Sequence, residues 1–304
     1  MRGSGVGRWG PTSDRAWRGA GVPAIQTMIR LIALDVDGTL LDSQWQVPDA
    51  NRLAIERAIA RGIEVALVTG RRFEFARPVF DALPDPLTLI VNNGALVKSR
   101  RGETLVSHLL PCEIARQVLE ATRDFRDTAA VVFDRIGEGQ VVFERIDWEN
   151  RRTRSYVLRN RAFVSEVAPL EACLTEDPIQ VMFNGPFGLM RDLLGTLRRS
   201  PIADRFAISV TEYESRDFAM VDVIRAGCSK GAALVEWAGR RGLARAEVMA
   251  IGDNLNDREM LDFAGCPVVM GNAVSELKGL GWPVTGTNDE AGVAAAIETF
   301  ALAP

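Results

Sequence analysis

Short apolar runs that end in polar clusters recur along this chain. Three of them fall in the first hundred residues: Ile29–Leu34 before Asp35-Val36-Asp37-Gly38, Ile63–Val68 before Thr69-Gly70-Arg71, and Leu87–Val91 before Asn92-Asn93-Gly94. Apolar positions at helical spacing over residues 51–61 separate the first two runs. This alternation of strand and helix predicts a parallel sheet with helices on both faces.

The same pattern returns toward the C-terminus. We predict helices over Lys230–Arg241 and Ala291–Leu302, and strands over Glu247–Ile251 and Pro267–Met270. Both strands end in polar clusters as well. Because open parallel sheets bind ligands at the carboxyl ends of their strands, these clusters mark the edge where a site is expected.

Residues 98–209 show a different order of elements, in which strands arranged as in a hairpin are mixed with helices. The predicted elements are a helix over Glu113–Phe125, strands over Ala129–Phe133 and Val141–Ile146 around Gly137-Glu138-Gly139, a strand over Ile179–Phe183, a helix over Leu189–Arg199 and a strand over Phe206–Val210. The sequence thus predicts an α/β fold. Its doubly wound, mostly parallel sheet would come from residues 28–97 and 210–304, and residues 98–209 would form an inserted α+β domain.

Composition narrows the classes of partner. The chain has 304 residues and a net charge of −4, which does not favour nucleic acid. No apolar segment is long enough to cross a bilayer. The four cysteines are widely spaced, which favours buried thiols in a cytoplasmic protein over a zinc site. Residues 1–27 are rich in glycine and arginine, and we expect a disordered leader before Met28. A small-molecule partner is therefore expected, while the sequence does not decide the oligomeric state.

Asp35 and Asp37 are two carboxylates placed just after a predicted strand. Gly38 would let the chain curl so that both reach one crevice. Such a pair suits a nucleophile that attacks phosphorus and an acid/base that protonates the leaving oxygen and then activates water. The pattern alone fits a simple Asp-Gly turn equally well.

Asp253 and Asp257 are four residues apart in Gly252-Asp253-Asn254-Leu255-Asn256-Asp257. They would lie on the same side if the segment opens a helix. Hard oxygen ligands indicate magnesium rather than zinc or copper. By itself, this segment is more typical of an N-cap with acids in the first turn of a helix.

Two further positions suit a phosphate. Thr69 and Gly70 offer a hydroxyl and a backbone amide at a strand end. Lys230, at the start of a predicted helix, would supply the positive charge that a transferring phosphoryl group needs. Without context, a lone lysine is more often a solvated surface residue.

The order of these elements supplies the context. The motifs are Asp-x-Asp-Gly-Thr-Leu-Leu from Asp35, Thr69-Gly70-Arg71, Asn93-Gly94-Ala95, Lys230-Gly231, Gly252-Asp253-x-x-Asn256-Asp257 and Met270-Gly271-Asn272-Ala273. In this order they resemble the haloacid dehalogenase superfamily, and most closely its Cof-type sugar-phosphatase branch. The resemblance covers residues 29 to 300. Asp222 departs from it, because relatives more often carry glutamate there.

The resemblance implies a role for each matching position. It implies that Asp35 is the nucleophile and a magnesium ligand, that Asp37 is the acid/base and binds the metal through its backbone carbonyl, and that Asp253 is the third ligand. It also implies that Thr69, Gly70 and Lys230 hold the phosphoryl group and that Asn256 touches the substrate phosphate. Asp257 would support the metal or Lys230. Residues 98–209 would form an αββ-type cap. Since dehalogenating members lack the second aspartate, Asp37 favours phosphoryl transfer.

The expected function is Mg²⁺-dependent hydrolysis of a small phosphomonoester, such as a sugar phosphate, through an aspartyl phosphate on Asp35. Two alternatives stay open: a phosphomutase-type phosphotransferase, and a catalytically silent binding protein. Arg151-Arg152-Thr153-Arg154 would suit an anionic substrate, but the sequence favours a solvated charged face. No motif identifies the substrate or the cap residues that select it.

Overall fold

The computed structural model describes residues 28–213 and 217–303, whose strands form two separate sheets. The predicted leader, residues 1–27, lies outside the described residues. The strands are β1 (Leu31–Asp35), β2 (Glu64–Val68), β3 (Thr88–Val91), β4 (Leu96–Ser99), β5 (Thr104–Ser107), β6 (Ala129–Val132), β7 (Val141–Phe143), β8 (Val164–Glu166), β9 (Gln180–Gly185), β10 (Phe206–Tyr213), β11 (Phe218–Arg225), β12 (Val248–Gly252) and β13 (Cys266–Val269). The α-helices are α1 (Asp49–Ala60), α2 (Phe73–Asp81), α3 (Cys112–Ala121), α4 (Arg151–Arg159), α5 (Phe187–Arg199), α6 (Lys230–Arg240), α7 (Arg258–Phe263), α8 (Ser275–Lys278) and α9 (Gly292–Phe300).

The first sheet has seven strands in the order β13-β12-β1-β2-β3-β4-β5. The strands from β13 to β3 are parallel, and β4 and β5 add an antiparallel edge. Every residue of β1, β3 and β12 is buried. Burial on both faces explains why the sequence shows these strands as continuous apolar runs. The doubly wound α/β fold expected from the sequence is confirmed.

The second sheet has six strands in the order β10-β11-β9-β6-β7-β8, and it is antiparallel except between β7 and β8. Its side chains alternate between two apolar clusters, as strand geometry requires. Val181 and Val221 point toward a cluster formed with α3 and α5. Val132, Met182 and Ile224 belong instead to the core cluster of the first sheet. The second sheet therefore lies between its own helices and the first sheet.

The two sheets divide the chain at different places from those predicted. β4 and β5 belong to the first sheet, although we assigned residues from 98 onward to the insertion. β11 belongs to the second sheet and pairs with β10 over eight residues, although we placed the return at residue 210. We assigned β5 to the insertion because it is an exposed edge strand, and its sequence lacks the continuous apolar run of the buried strands.

Arg72 joins the two sheet units. It precedes α2, is buried, and donates through Nη1 to Gln140 Oε1 at 2.8 Å and through Nη2 to Asn160 Oδ1. Its guanidinium also lies 4.7 Å from the ring centroid of Phe163. These contacts hold the second unit over the end of β2.

Among the described residues, no helix has the length and apolar character of a membrane span.

Candidate active site

The site begins where β1 ends. β1 lies in the middle of the first sheet and pairs in parallel with β12 and β2. Asp35 is the last residue of β1, Thr69 follows β2 directly, and Asp253 follows β12 directly. Parallel neighbours bring their carboxyl ends to one edge, so three predicted site residues become neighbours.

Lys230 is a buried cation held by two buried carboxylates. Its Nζ donates to Asp35 Oδ1 at 2.5 Å and to Asp257 Oδ1 at 2.7 Å. The three side chains are at most 5% exposed. Burial lowers the pKa of Lys230, but the charges of Asp257 and Asp35 outweigh it, so the pKa is raised and the ammonium stays protonated. Lys230 is therefore a fixed positive charge beside Asp35 and not a surface lysine.

Asp257 organises the loop after β12. Its Oδ2 accepts hydrogen bonds from the backbone N–H groups of Asp253 and Asn254, both at 3.0 Å. Its other oxygen accepts the bond from Lys230. Asp257 thus caps the turn, as expected for an acid in the first turn of a helix, and it also holds the ammonium group of Lys230 in place.

Gly38 lets the loop after β1 turn tightly against Asp253. Its φ is +82°, and a Cβ at this position would lie 2.4 Å from Asp253 Oδ2. Thr39 Oγ1 donates to Asp253 Oδ1 at 3.0 Å. Asn272 Nδ2 donates to the Gly38 carbonyl at 2.8 Å. The backbone conformation and the close approach both require glycine here.

Three carboxylates converge at this point. Asp35, Asp253 and Asp257 each offer an oxygen within 4.8 Å of the others. Burial and the charge of Asp257 raise the pKa of Asp35 to about 7, and burial and the charge of Asp35 raise the pKa of Asp253. With Lys230 protonated and all three acids ionised, the cluster carries two net negative charges. An all-oxygen cluster of this charge fits Mg²⁺.

Asp37 is bound by Arg71, which the sequence did not single out. Arg71 Nε donates to Asp37 Oδ2 at 2.9 Å and Nη2 donates to Oδ1 at 2.6 Å. The side chain of Asp37 therefore faces this guanidinium, and the converging carboxylates include Asp257 in its place. Thr69 is buried, and its Oγ1 accepts a hydrogen bond from the Arg71 backbone N–H at 3.1 Å.

A cavity of about 880 Å³ lies between the two sheets above these groups. Five predicted site residues line it: Asp35, Asp37, Gly70, Lys230 and Asn256. Aromatic side chains line its walls, including Trp45, Phe75 and Phe218. Arg151, Arg152 and Thr153 of α4 line it too, so the arginine run that we favoured as a solvated face borders the cavity. The sequence missed this because α4 is mostly polar and buries only Val157.

Further polar residues of the cavity wall were also not assigned to the site, among them Asn92, Gln180 and Asp222. Asn92 was visible only as part of the polar cluster after the third apolar run, and Asp222 only as a departure from the family pattern. Burial raises the pKa of Asp222 to about 7, against a lowering by its hydrogen bond from Asn93. Gln180 and Asn92 are brought together by pairing between remote elements, for which no local signal exists.

The fold and the acids at its strand ends define a phosphatase of the α/β class with an inserted second domain. The chain belongs to the haloacid dehalogenase-like hydrolase family, whose family model matches residues 32–297. This confirms the resemblance found in the motifs.

Relatives and solved structures agree with this assignment. An HMP-PP phosphatase of Serratia proteamaculans (strain 568) is 34% identical over 253 residues, which are 83% of this chain and 88% of the relative. The 5-amino-6-(5-phospho-D-ribitylamino)uracil phosphatase YitU of Bacillus subtilis (strain 168) is 26% identical over 281 residues, 91% of this chain and 99% of the relative. BT1666 of Bacteroides thetaiotaomicron, described among the phosphatases of this superfamily, superimposes with a TM-score of 0.75 at 26% identity, covering 94% of this chain and 100% of that one.

Proposed function

We propose that this protein hydrolyses a small phosphomonoester with Mg²⁺ as cofactor, through an aspartyl phosphate on Asp35. The observation that carries the proposal is the arrangement around Asp35. Lys230 Nζ binds Asp35 Oδ1, which leaves Oδ2 as the oxygen for attack on phosphorus. Two further carboxylates lie beside it, and the open cavity lies above it.

The reaction would take two steps on this chain's own residues. In the first, an Asp35 oxygen forms a bond to phosphorus as the bond to the leaving oxygen breaks, and Asp37 gives that oxygen its proton. In the second, Asp37 takes a proton from water, the water oxygen bonds to phosphorus, and the Asp35–phosphorus bond breaks. Lys230, the Thr69 hydroxyl, the Gly70 backbone amide and Asn256 would hold the phosphoryl oxygens.

We further propose that Asp35, the Asp37 backbone carbonyl and Asp253 hold Mg²⁺, with Asp257 supporting them. A bound Mg²⁺ offsets the repulsion between Asp35 and the phosphoryl group and stabilises the charge that develops on its oxygens. The all-oxygen donor set and its two net negative charges support this assignment. Residues of the second sheet unit would act as the cap that excludes bulk water and selects the substrate.

The cavity supports a metabolite-sized substrate. Its volume of about 880 Å³ suits a small molecule, and its aromatic walls and the arginines of α4 suit a planar or anionic leaving group. The named relatives act on HMP-PP and on 5-amino-6-(5-phospho-D-ribitylamino)uracil. We propose substrates of the same general kind, small phosphorylated metabolites.

The test is a screen of phosphorylated metabolites with Mg²⁺, in which released inorganic phosphate is measured for the wild type and for Asp35→Asn. We expect Mg²⁺-dependent release that chelation stops and that Asp35→Asn abolishes without loss of folding. Substantial turnover by Asp35→Asn would contradict the aspartyl-phosphate mechanism. Isomer interconversion without phosphate release would support a phosphotransferase, and complete inactivity on the panel would support a binding protein.

A further inference from the structure

Four buried polar side chains form a hydrogen-bonded chain across the seam between the two sheets. Asn92 and Asn93 follow β3 of the first sheet, while Gln180 starts β9 and Asp222 lies in β11 of the second. All four are at most 3% exposed. Asn92, Gln180 and Asp222 line the cavity above Asp35.

The hydrogen bonds of this chain all point toward Asp222. Asn93 Nδ2 donates to Asp222 Oδ2 at 2.9 Å, and Gln180 Nε2 donates to Asp222 Oδ1 at 2.7 Å. Asn92 Nδ2 then donates to Gln180 Oε1 at 3.1 Å. Both Asp222 oxygens accept amide hydrogen bonds, so Asp222 orients Asn93 and Gln180 directly, and Gln180 in turn orients Asn92.

This orientation leaves one acceptor without a partner on the cavity wall. Asn92 Oδ1 and Asn93 Oδ1 are buried and accept no hydrogen bond from the described residues. Asn93 Oδ1 packs against Gly70, 2.9 Å from where a Cβ of that residue would lie. Of these two asparagines, Asn92 is the one that lines the cavity, so it is the one that lies next to a bound molecule. Buried polar atoms are rarely left unpaired, and those at a cavity wall point to a ligand.

The backbone of the same loop is strained. Asn92 and Asn93 have φ values of 51° and 54°, and Gly94 follows at 94°. The Asn92 N–H donates to the Arg71 carbonyl at 3.0 Å, and the Asn93 N–H donates to the Thr69 carbonyl at 3.1 Å. Left-handed residues other than glycine persist only where their surroundings hold them, and they concentrate at ligand sites. Strain and an unpaired acceptor thus coincide at Asn92.

We propose that Asn92 is a specificity-determining residue whose Oδ1 accepts a hydrogen bond from a hydroxyl or amino group of the substrate's leaving group. Gln180 and Asp222 are its positioning residues. The inference rests on the proposed phosphatase function and adds a substrate class: phosphomonoesters whose leaving group presents an O–H or N–H donor to this wall. A leaving group without a donor would leave the buried oxygen unpaired, which such a site discriminates against.

Matched aryl esters test the proposal. The 3- and 4-hydroxyphenyl phosphates present a donor, whereas the 3- and 4-methoxyphenyl phosphates present only an acceptor and have leaving groups of similar basicity. For at least one isomer we expect the wild type to prefer the hydroxy ester about tenfold in kcat/KM, the effect of one ordinary hydrogen bond. Asn92→Ala should remove this preference, because the loss in kcat/KM falls mainly on the hydroxy ester. Asn92→Gly removes the same oxygen and also relieves the left-handed strain, so it gives the same result if the alanine variant fails to fold.

Two further variants test whether the amide chain selects the substrate or only supports the structure. Asn184→Ala alters a cavity residue of β9 outside the amide chain, and it should keep the preference. Gln180→Met should reduce the preference mainly through a higher KM for the hydroxy ester, a selective change that a merely structural role would not produce. A wild type without preference, a preference retained by both Asn92 variants, or equal losses on both esters would each overturn the proposal.

Failure of the proposed function has a different signature. In that case the wild type releases no phosphate from any of the four esters with Mg²⁺, or Asp35→Asn releases as much, and the inference falls with the function. Release that depends on Asp35 but ignores the donor overturns only the role of Asn92.

Discussion

Arg71 binds both carboxylate oxygens of Asp37, through Nε to Oδ2 at 2.9 Å and through Nη2 to Oδ1 at 2.6 Å. The arginine also lies against aromatic side chains, 5.4 Å from the ring centroid of Trp45 and 5.0 Å from that of Phe75. Both the fork geometry and the stacking are properties that lysine lacks. Each oxygen of Asp37 keeps a second lone pair, through which a proton can pass to the leaving oxygen while Arg71 holds the carboxyl group in place.

We predict that Arg71→Gln lowers kcat by roughly 10- to 100-fold, because Asp37 loses the group that positions it, while general acid catalysis as a whole contributes about 10²- to 10⁴-fold. In an Asp37→Asn background the same change should have little further effect, since the acid is already gone. A double-mutant cycle on kcat measures this coupling. Fully additive losses would show that Arg71 acts independently of Asp37.

Gly38→Ala should reduce phosphate release by at least about 100-fold, because the new Cβ would displace Asp253 from its place near Asp35 and misplacement at a reacting centre is costly on this scale. Gly62→Ala is the matched control. Gly62 has a φ of +79° but no atom within 4 Å of its virtual Cβ. Its substitution should cost only about 1–2 kcal/mol of stability from the left-handed conformation and leave kcat unchanged. Urea unfolding and phosphate release check both variants, and wild-type turnover by Gly38→Ala would contradict the prediction.

Magnesium should stabilise the folded wild type and do so through Asp253. A ligand that binds only the folded state adds about 2.7 kcal/mol at a free concentration of 100 Kd, which appears as a rise in Tm. Asp253→Asn should lose most of this rise. Asp49→Asn, a change at an acid whose side chain is 90% exposed at the start of α1, should keep it. Thermal unfolding across a Mg²⁺ titration gives the answer, and an equal rise in all three proteins would place the metal elsewhere.

Asp222 should make stability fall with rising pH. Burial raises its pKa in the folded state to about 7 from an ordinary value of 3.8. Between these values the folded state keeps a proton that the unfolded state has released. The stability this provides is fully present below about pH 4 and is lost as the pH rises through about 7.

Asparagine at position 222 does not titrate, so the difference between the two proteins isolates this effect. The free energy of unfolding of the wild type relative to Asp222→Asn should fall by up to roughly 4 kcal/mol over this range. Urea unfolding of both proteins at about pH 5.5 and 8.5 measures roughly half of the change, about 2 kcal/mol. A difference that stays constant with pH would mean that Asp222 is ionised throughout.

Elements that are buried on both faces were predictable from the sequence, and elements at the margins were not. β1 and β12 appear as unbroken apolar runs because helices cover both of their sides. In β5 only Val106 is buried, so no alternation marked it as a strand of the first sheet. In α4 six of the nine residues are polar and only Val157 is buried, so the sequence did not mark this helix as a wall of the cavity.

The site divides in the same way. The convergence of Asp35, Lys230 and Asp253 was predictable because each belongs to a recognisable motif at the end of a strand or the start of a helix. The partnership of Asp37 with Arg71 was not, since it depends on how the loop after β2 folds back over the loop after β1. The amide chain from Asn92 to Asp222 was even less accessible, because it joins residues up to 130 positions apart whose pairing exists only once both sheets have formed.

Arg71 has a second connection, because its backbone carbonyl accepts the N–H of Asn92. A mutation that reshapes the loop at Asn92 would therefore disturb the residue that positions Asp37. Met182 and Met220 line the same cavity from β9 and β11, and they are flexible apolar side chains of the kind that tolerates exchange. During divergence, new substrate preferences would arise most readily at these methionines. The loop after β3 would change slowly, since its changes alter rate and selectivity together.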